Sequence, residues 1–296
     1  MLLPSFLKAR ILKPISVLLL MGVFSQALSA EGNQENDPGI LPSSTGWKLV
    51  WHDNFSSEKS LTHGVWLPEE YPPLANNSEL QAYTGDPANI HTSNDHLVLE
   101  ALRTKTKNGW KITSGRISSS MKLAFRYGRL DFRAKLPLGK GTWPALWLLP
   151  LDPSGHGYMW PDSGEIDVME EVGFEGNQIH GTLHTSKYNY TLGTQITATY
   201  PVRDVTQWHV YSLEWYPDHI TFLVDNHPFL TFNKDGGDWR RWPFDKPFYI
   251  IMNLAIGGTW GGQHGVDNKL FPAKMEVDWV RLYQNPSVPG SEIVHP

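Results

Sequence analysis

The sequence predicts an all-β protein built as a sandwich of two antiparallel sheets, and three observations carry that reading. Leu130, Phe132, Ala134 and Leu136 alternate with Arg129, Asp131, Arg133 and Lys135, the period of a half-buried strand with one wet face. Short apolar runs then follow one another from Val210 to Tyr216, Ile220 to Val224 and Phe229 to Phe232, with Pro217-Asp218 and Asp225-Asn226 between them as hairpin turns. No helical stretch of comparable length competes, and no internal repeat is visible. Many short strands with turns at close intervals are the pattern of a sandwich.

Taken in order, residues 1–30 have the layout of a signal peptide: Lys8, Arg10 and Lys13, the apolar run Ile15 to Phe24, then Ser25-Gln26-Ala27-Leu28-Ser29-Ala30. The apolar run is too short to span a bilayer comfortably, so the mature protein is expected to be exported, extracellular or periplasmic, and off the membrane after cleavage at Ser29 or Ala30. Residues 31–44 are polar, with Pro38, Gly39 and Pro42, and read as a flexible leader expected to be disordered. Gly46 to Phe55 alternates as a first strand. Leu61 to Thr84 contains Pro68, Pro72, Pro73 and Asn76-Asn77 and is expected to be a long loop across one sheet edge, the kind of segment that builds a cleft. Phe248 to Ile256 and Met275 to Tyr283 supply two further strands, and residues 286–296 form a tail without pattern. Residues 45–285 are thus expected to be one domain, a size that all-β architectures reach without splitting.

Composition excludes several functions. The chain has no cysteine, which removes disulfides, thiolate chemistry, cysteine-held metals and a lipid anchor on cysteine. A net charge of −5 with no basic cluster argues against nucleic acid as partner. The 13 tryptophans exceed what an ordinary core needs, and flat indole faces suit the apolar C–H surfaces of sugar rings. Asp162-Ser163-Gly164 lacks the second copy that an aspartic protease requires. In Leu138-Gly139-Lys140-Gly141-Thr142 the lysine is not followed directly by Ser or Thr, so it is no phosphate loop. None of the histidines forms a His-Glu-x-x-His pair, and no catalytic metal or other cofactor is expected.

The chemistry concentrates in Gly164-Glu165-Ile166-Asp167-Val168-Met169-Glu170-Glu171-Val172-Gly173, where four carboxylates are spaced by apolar, largely β-branched residues. On a strand, Glu165 and Asp167 share a face and Ile166 and Val168 take the other. A regular strand would put Met169 and Glu171 with the first pair; one extra residue, a β-bulge near Met169, would bring Glu170 there instead. Two carboxylates on one rigid face are what glycosidic cleavage needs, one to attack or stabilise the anomeric carbon and one to protonate the leaving oxygen. The bland alternative is an edge strand with exposed acids.

The run Glu165-Ile166-Asp167-Val168-Met169-Glu170, preceded by Trp143-Pro144-Ala145-Leu146-Trp147-Leu148-Leu149-Pro150, resembles glycoside hydrolase family 16, in its bulge-containing laminarinase branch. The resemblance extends through Gly115-Arg116-Ile117, Tyr127-Gly128-Arg129, His180-Gly181-Thr182-Leu183-His184 and Met252-Asn253-Leu254-Ala255-Ile256-Gly257-Gly258. It implies a jelly roll, concanavalin-like, whose concave face is the substrate groove. It implies Glu165 as nucleophile, Glu170 as acid/base and Asp167 as their supporting carboxylate. The activity it implies is that of a secreted, monomeric, retaining endo-β-1,3-glucanase acting on β-glucans such as laminarin. An agarase, a mixed-linkage glucanase and a non-catalytic β-glucan-binding protein on the same sandwich are the alternatives.

Other site candidates each have a plainer reading. Trp143 and Trp147, four apart, share a face that is either groove or core, and the resemblance favours the groove. Trp160 and Trp260 lie in Gly- and Pro-rich loops, as sugar platforms or local cores. His184, favoured over His180, is placed to orient a hydroxyl or an acid. Arg116 and Asn77 resemble positions that hydrogen-bond glucosyl units in the family, and Gln263 lies in a loop able to do the same; ordinary surface polarity is the alternative. Family members often carry a structural calcium held by carboxylate and backbone oxygens where first and last strands meet, for which Asp53 and Asp278 are the candidates.

Overall fold

A computed structural model describes residue 41, residues 45–152 and residues 159–296, and residues 41–296 form one compact unit. The expected signal peptide and all of the leader except Leu41 lie outside the described residues.

Two sheets face each other. In one, Gly128–Lys135 lies between His209–Trp215 and Ala273–Gln284, followed outward on one side by His219–Val224 and His227–Asn233 and on the other by His96–Thr106 and Gly109–Ser114. Lys48–Asp53 pairs with the long strand Ala273–Gln284, as first and last strands do in a closed sandwich. The second sheet runs Ile196–Pro201, Gln178–His184, Glu165–Glu170, Thr142–Pro150, Phe248–Ile256, Arg116–Ser118, Leu67–Pro68. Among the described pairings all are antiparallel except Ala82–Tyr83 with Gly109–Ser114. Inward residues of both sheets make one core: Leu130 and Phe132 from the first, Leu146, Leu148, Ile166, Ile250, Met252 and Leu254 from the second, all fully buried. Excluding that apolar surface from water is what holds the layers together.

Three local expectations change. The outer face of Gly128–Lys135 is not uniformly wet, because Arg129 and Asp131 are buried. Arg129 Nε donates to Asp131 Oδ1 at 2.7 Å and Nη1 to Glu214 Oε1 at 2.8 Å, and such pairing is what allows a charge to leave water. The segment expected as loop from Leu61 to Thr84 holds the end of a short helix, Lys59–His63, and two two-residue strands, Leu67–Pro68 and Ala82–Tyr83. The tail is not patternless throughout: Glu292–Val294 pairs with Ala124–Arg126 and Ile293 packs on the core.

Candidate active site

The acidic strand Glu165–Glu170 contains the extra residue. Toward Thr142–Pro150, Leu146 faces Met169 and Trp147 faces Asp167, so Val168 has no partner. Toward Gln178–His184, Asp167 faces Thr182 and Glu170 faces His180, leaving Val168 and Met169 opposite Gly181 alone. Both of those residues point into the core, 1 % and 0 % exposed, and the alternation restarts one residue late. Gly181 itself lies against the facing sheet: a Cβ there would lie 2.9 Å from the Phe229 ring and 3.0 Å from the Phe222 ring. Glu165, Asp167 and Glu170 therefore line one cleft, and Glu171 turns inward with 0 % exposure.

The cleft, about 1790 Å³, is larger than the roughly 300–1,000 Å³ of a small-molecule pocket and has room for several sugar units. All eight proposed substrate residues, Trp143, Trp147, His184, Arg116, Asn77, Trp160, Trp260 and Gln263, line it. Trp143 Nε1 donates to Glu170 Oε1 at 2.9 Å, and its ring meets Trp260 edge-on at 5.6 Å. Trp147 Nε1 donates to Asn253 Oδ1 at 2.7 Å. The Arg116 guanidinium lies 4.9 Å from the centre of the Trp147 ring and donates through Nε to Glu69 at 2.5 Å. His184 Nε2 is 3.5 Å from Asp167 Oδ2 and 4.0 Å from Glu165 Oε1, with Trp160 and Tyr190 rings each 5.8 Å away.

Burial dominates the electrostatics. It pushes Glu165 up to about 8, with the Glu170 charge adding to the rise and hydrogen bonds from Asp167 and Trp160 opposing it. Glu170 is pushed up to about 7 by burial, against the Trp143 hydrogen bond. Asp167 is held well above the carboxylate range by burial and by the charges of Glu165 and Glu170. The three acids share their protons: a protonated Asp167 donating to Glu165 favours the charge on Glu165, whereas burial raises Glu165 above Glu170. A state with Glu165 ionised and Glu170 protonated is therefore one that bound substrate has to select. Burial pushes His184 down to about 4, which leaves a neutral imidazole beside the acids.

His180, ranked below His184 in the sequence, also lines the cleft, and several further cleft residues carried no local signal. His180, opposite Glu170 in the ladder, binds Glu175 Oε2 through Nε2 at 2.8 Å and meets Trp260 edge-on at 4.8 Å. Tyr71, Glu79, Tyr190, Tyr249, Asn253 and Thr199 complete the walls. Tyr249 and Asn253 share the strand Phe248–Ile256 while the others lie on separate segments, and only the fold gathers them.

The model of glycosyl hydrolases family 16 matches residues 77–281, the stretch that builds both cleft and acidic strand. The chain belongs to that family. Among family members, a β-glucanase of Rhodothermus marinus is 42 % identical over 245 residues, covering 80 % of this chain and 85 % of its own. The X-ray structure of the laminarinase from Rhodothermus marinus superposes with a TM-score of 0.76 at 41 % identity, over 80 % of this chain and 97 % of that one. The laminarinase from Flavobacterium sp. UMI-01 gives a TM-score of 0.71 at 38 % identity, over 80 % of this chain and 100 % of that one.

The calcium expected of the family does not fit the two side chains proposed for it. Asp53 accepts from Phe55 N at 2.9 Å, Ser60 Oγ at 2.8 Å and Trp66 Nε1 at 3.0 Å. Asp278 pairs instead with Arg133 and lies 3.6 Å from His96 Nε2. The carboxylates serve different neighbours, one of them cationic, and do not converge as hard-cation ligands. Among the described residues, the group of three or more acidic or histidine side chains with mutually close ligand atoms is Glu165, Asp167 and His184, on the cleft floor.

Proposed function

We infer that the protein is a retaining endo-β-1,3-glucanase of laminarinase type, exported and active as a monomer on β-glucans such as laminarin. The observation that carries the reading is the bulge at Val168–Met169, which delivers Glu165, Asp167 and Glu170 to one face of one cleft. The β-1,3 linkage rests on the relatives, which are β-glucanases and laminarinases over most of this chain. Export rests on the layout of residues 1–30. No helix among the described residues is long and apolar enough to cross a membrane.

In this mechanism Glu165 attacks the anomeric carbon while Glu170 donates its proton to the leaving oxygen, giving a covalent glycosyl-enzyme. Glu170, now ionised, takes a proton from water, which attacks the same carbon and releases Glu165. Asp167 donates to Glu165 and tempers its charge, Trp143 orients Glu170, and the aromatic walls exclude water and bind the sugar faces. Two inversions retain configuration. The test is ¹H NMR of the first products from laminarin, with a product ladder resolved by linkage. β-Anomers and internal β-1,3 cleavage are expected; α-anomers at first appearance would overturn Glu165 as nucleophile. N-terminal sequencing of protein recovered outside the cell checks processing near Ala30.

A further inference from the structure

One hydrogen-bonded chain joins the loop wall of the cleft to its floor, and it has a direction. The Trp147 indole can only donate, and it donates to Asn253 Oδ1 at 2.7 Å. That fixes the Asn253 amide, whose Nδ2 donates to Tyr83 Oη at 3.0 Å. Burial and the neighbouring Glu79 charge hold the Tyr83 phenol protonated, and its one hydrogen goes to Glu79 Oε2 at 3.2 Å. Gln81 arrives at the same oxygen: its Oε1 accepts from Ile256 N at 2.8 Å, so its Nε2 donates to Glu79 Oε2 at 2.7 Å. Asn77 Nδ2 adds a third donor to Glu79 Oε1 at 3.4 Å. Glu79 is only 8 % exposed, and no cation pairs with it among the described residues. Its backbone closes the loop, with Glu79 N donating to Asn76 O and Glu79 O accepting from Leu74 N.

Every polarity in this chain points at Glu79, whose two side-chain oxygens accept all three donors. We propose that Glu79 is a positioning residue of the cleft: as the terminal acceptor it sets the Trp147 ring through Tyr83 and Asn253 and holds Asn77 on the wall. The idea rests on the glucanase reading, in which Trp147 and Asn77 contact sugar. Substrate grip then depends on Glu79, while bond breaking at Glu165 and Glu170 does not. A glutamine offers a single acceptor oxygen, so its N–H must face either the Tyr83 and Gln81 donors or Asn77, and one of the two ends that Glu79 supports, the Trp147 chain or Asn77 on the wall, loses its anchor.

The experiment is steady-state kinetics on laminarin for wild type, Glu79→Gln, Tyr83→Phe and the double variant, with melting temperatures alongside. Glu79→Gln is expected to raise KM about tenfold with kcat within about twofold, the signature of lost uniform binding. Tyr83→Phe removes the link before Glu79, and the double variant is expected to match the worse single variant within about twofold, since both break one chain. Should Glu79→Gln not fold, Tyr83→Phe carries the same KM-against-kcat test. An unchanged KM, a fall in kcat alone, or effects that multiply in the double variant overturn the proposal while leaving the activity intact. A wild-type protein inert on every β-glucan overturns the glucanase reading and the proposal with it.

Discussion

Changing Glu171 to glutamine should stabilise the protein increasingly as pH rises, while leaving hydrolysis near wild type. The carboxyl is 0 % exposed, and neither oxygen has a hydrogen-bond partner among the described residues. The groups near it do not help: Glu175 is an acid that raises it further, and the buried Tyr211 hydroxyl is itself unpartnered. Burial raises Glu171 from 4.5 to about 8, so between those values the folded chain keeps a proton that the unfolded chain has released. A folded-state pKa above the unfolded one contributes stability that is complete below the unfolded value and is lost as pH rises through the folded value. At about 1.4 kcal/mol per unit, the loss is about 3 kcal/mol by pH 7 and about 4–5 kcal/mol beyond pH 8. Glutamine cannot ionise, so the variant should match wild type near pH 4.5 and exceed it by about 3 kcal/mol at pH 7, roughly 10 °C in melting temperature. Urea unfolding of both proteins at several pH values from 4.5 to 8.5 reads the difference directly, and the other raised carboxyl groups cancel because both proteins carry them. Parallel stability profiles would refute the argument, since they would mean that Glu171 is ionised with a partner or reaches water.

Three further outcomes follow from the site. Glu165→Ser should abolish turnover and keep oligosaccharide binding, measured by calorimetry; loss of binding would mean that the residue holds substrate rather than attacks it. Glu170→Gln should cost a factor of ~10²–10⁴ in kcat on laminarin, and a variant of Glu171 showing that loss instead would mean a regular strand. Trp143→Phe removes the hydrogen bond that holds Glu170 down, so the acid should stay protonated to higher pH and the alkaline limb of kcat/KM should move up; an unmoved limb would detach Trp143 from the acid.

The parts of this molecule that sequence reveals are those written in neighbouring residues. Alternation from Arg129 to Leu136 and turn pairs such as Asp225-Asn226 are local, and they mark strands and hairpins where the structure has them. Whether Arg129 and Asp131 are wet or buried is not local, because the answer depends on Glu214, 85 residues from Arg129. The same holds for the cleft. Trp143 and Trp147 share a face by parity, but which face depends on the strand Phe248–Ile256 and on Arg116. Trp66 and Trp215, no different in composition, are buried in the core. Asp53 and Asp278 lie on the paired first and last strands, but the partners that engage each carboxylate, Trp66 for one and Arg133 for the other, come from elsewhere in the chain and are not legible locally.

The bulge is the clearest case, because the strand's own residues fit either register. With a regular strand, Met169 and Glu171 would face sugar and Glu170 would face the core; with the extra residue, Met169 and Glu171 go inward. Each choice buries one glutamate, so apolar patterning cannot separate them. What separates them is the pairing with the neighbouring strand, where Val168 and Met169 together oppose Gly181. Trp143 then supplies the donor that meets Glu170 in the cleft, while nothing comparable meets Glu171 within. The acid in the cleft and the acid in the core are adjacent residues made different by one unpaired position. That is why rate and stability should respond to opposite members of the pair when each is changed to glutamine.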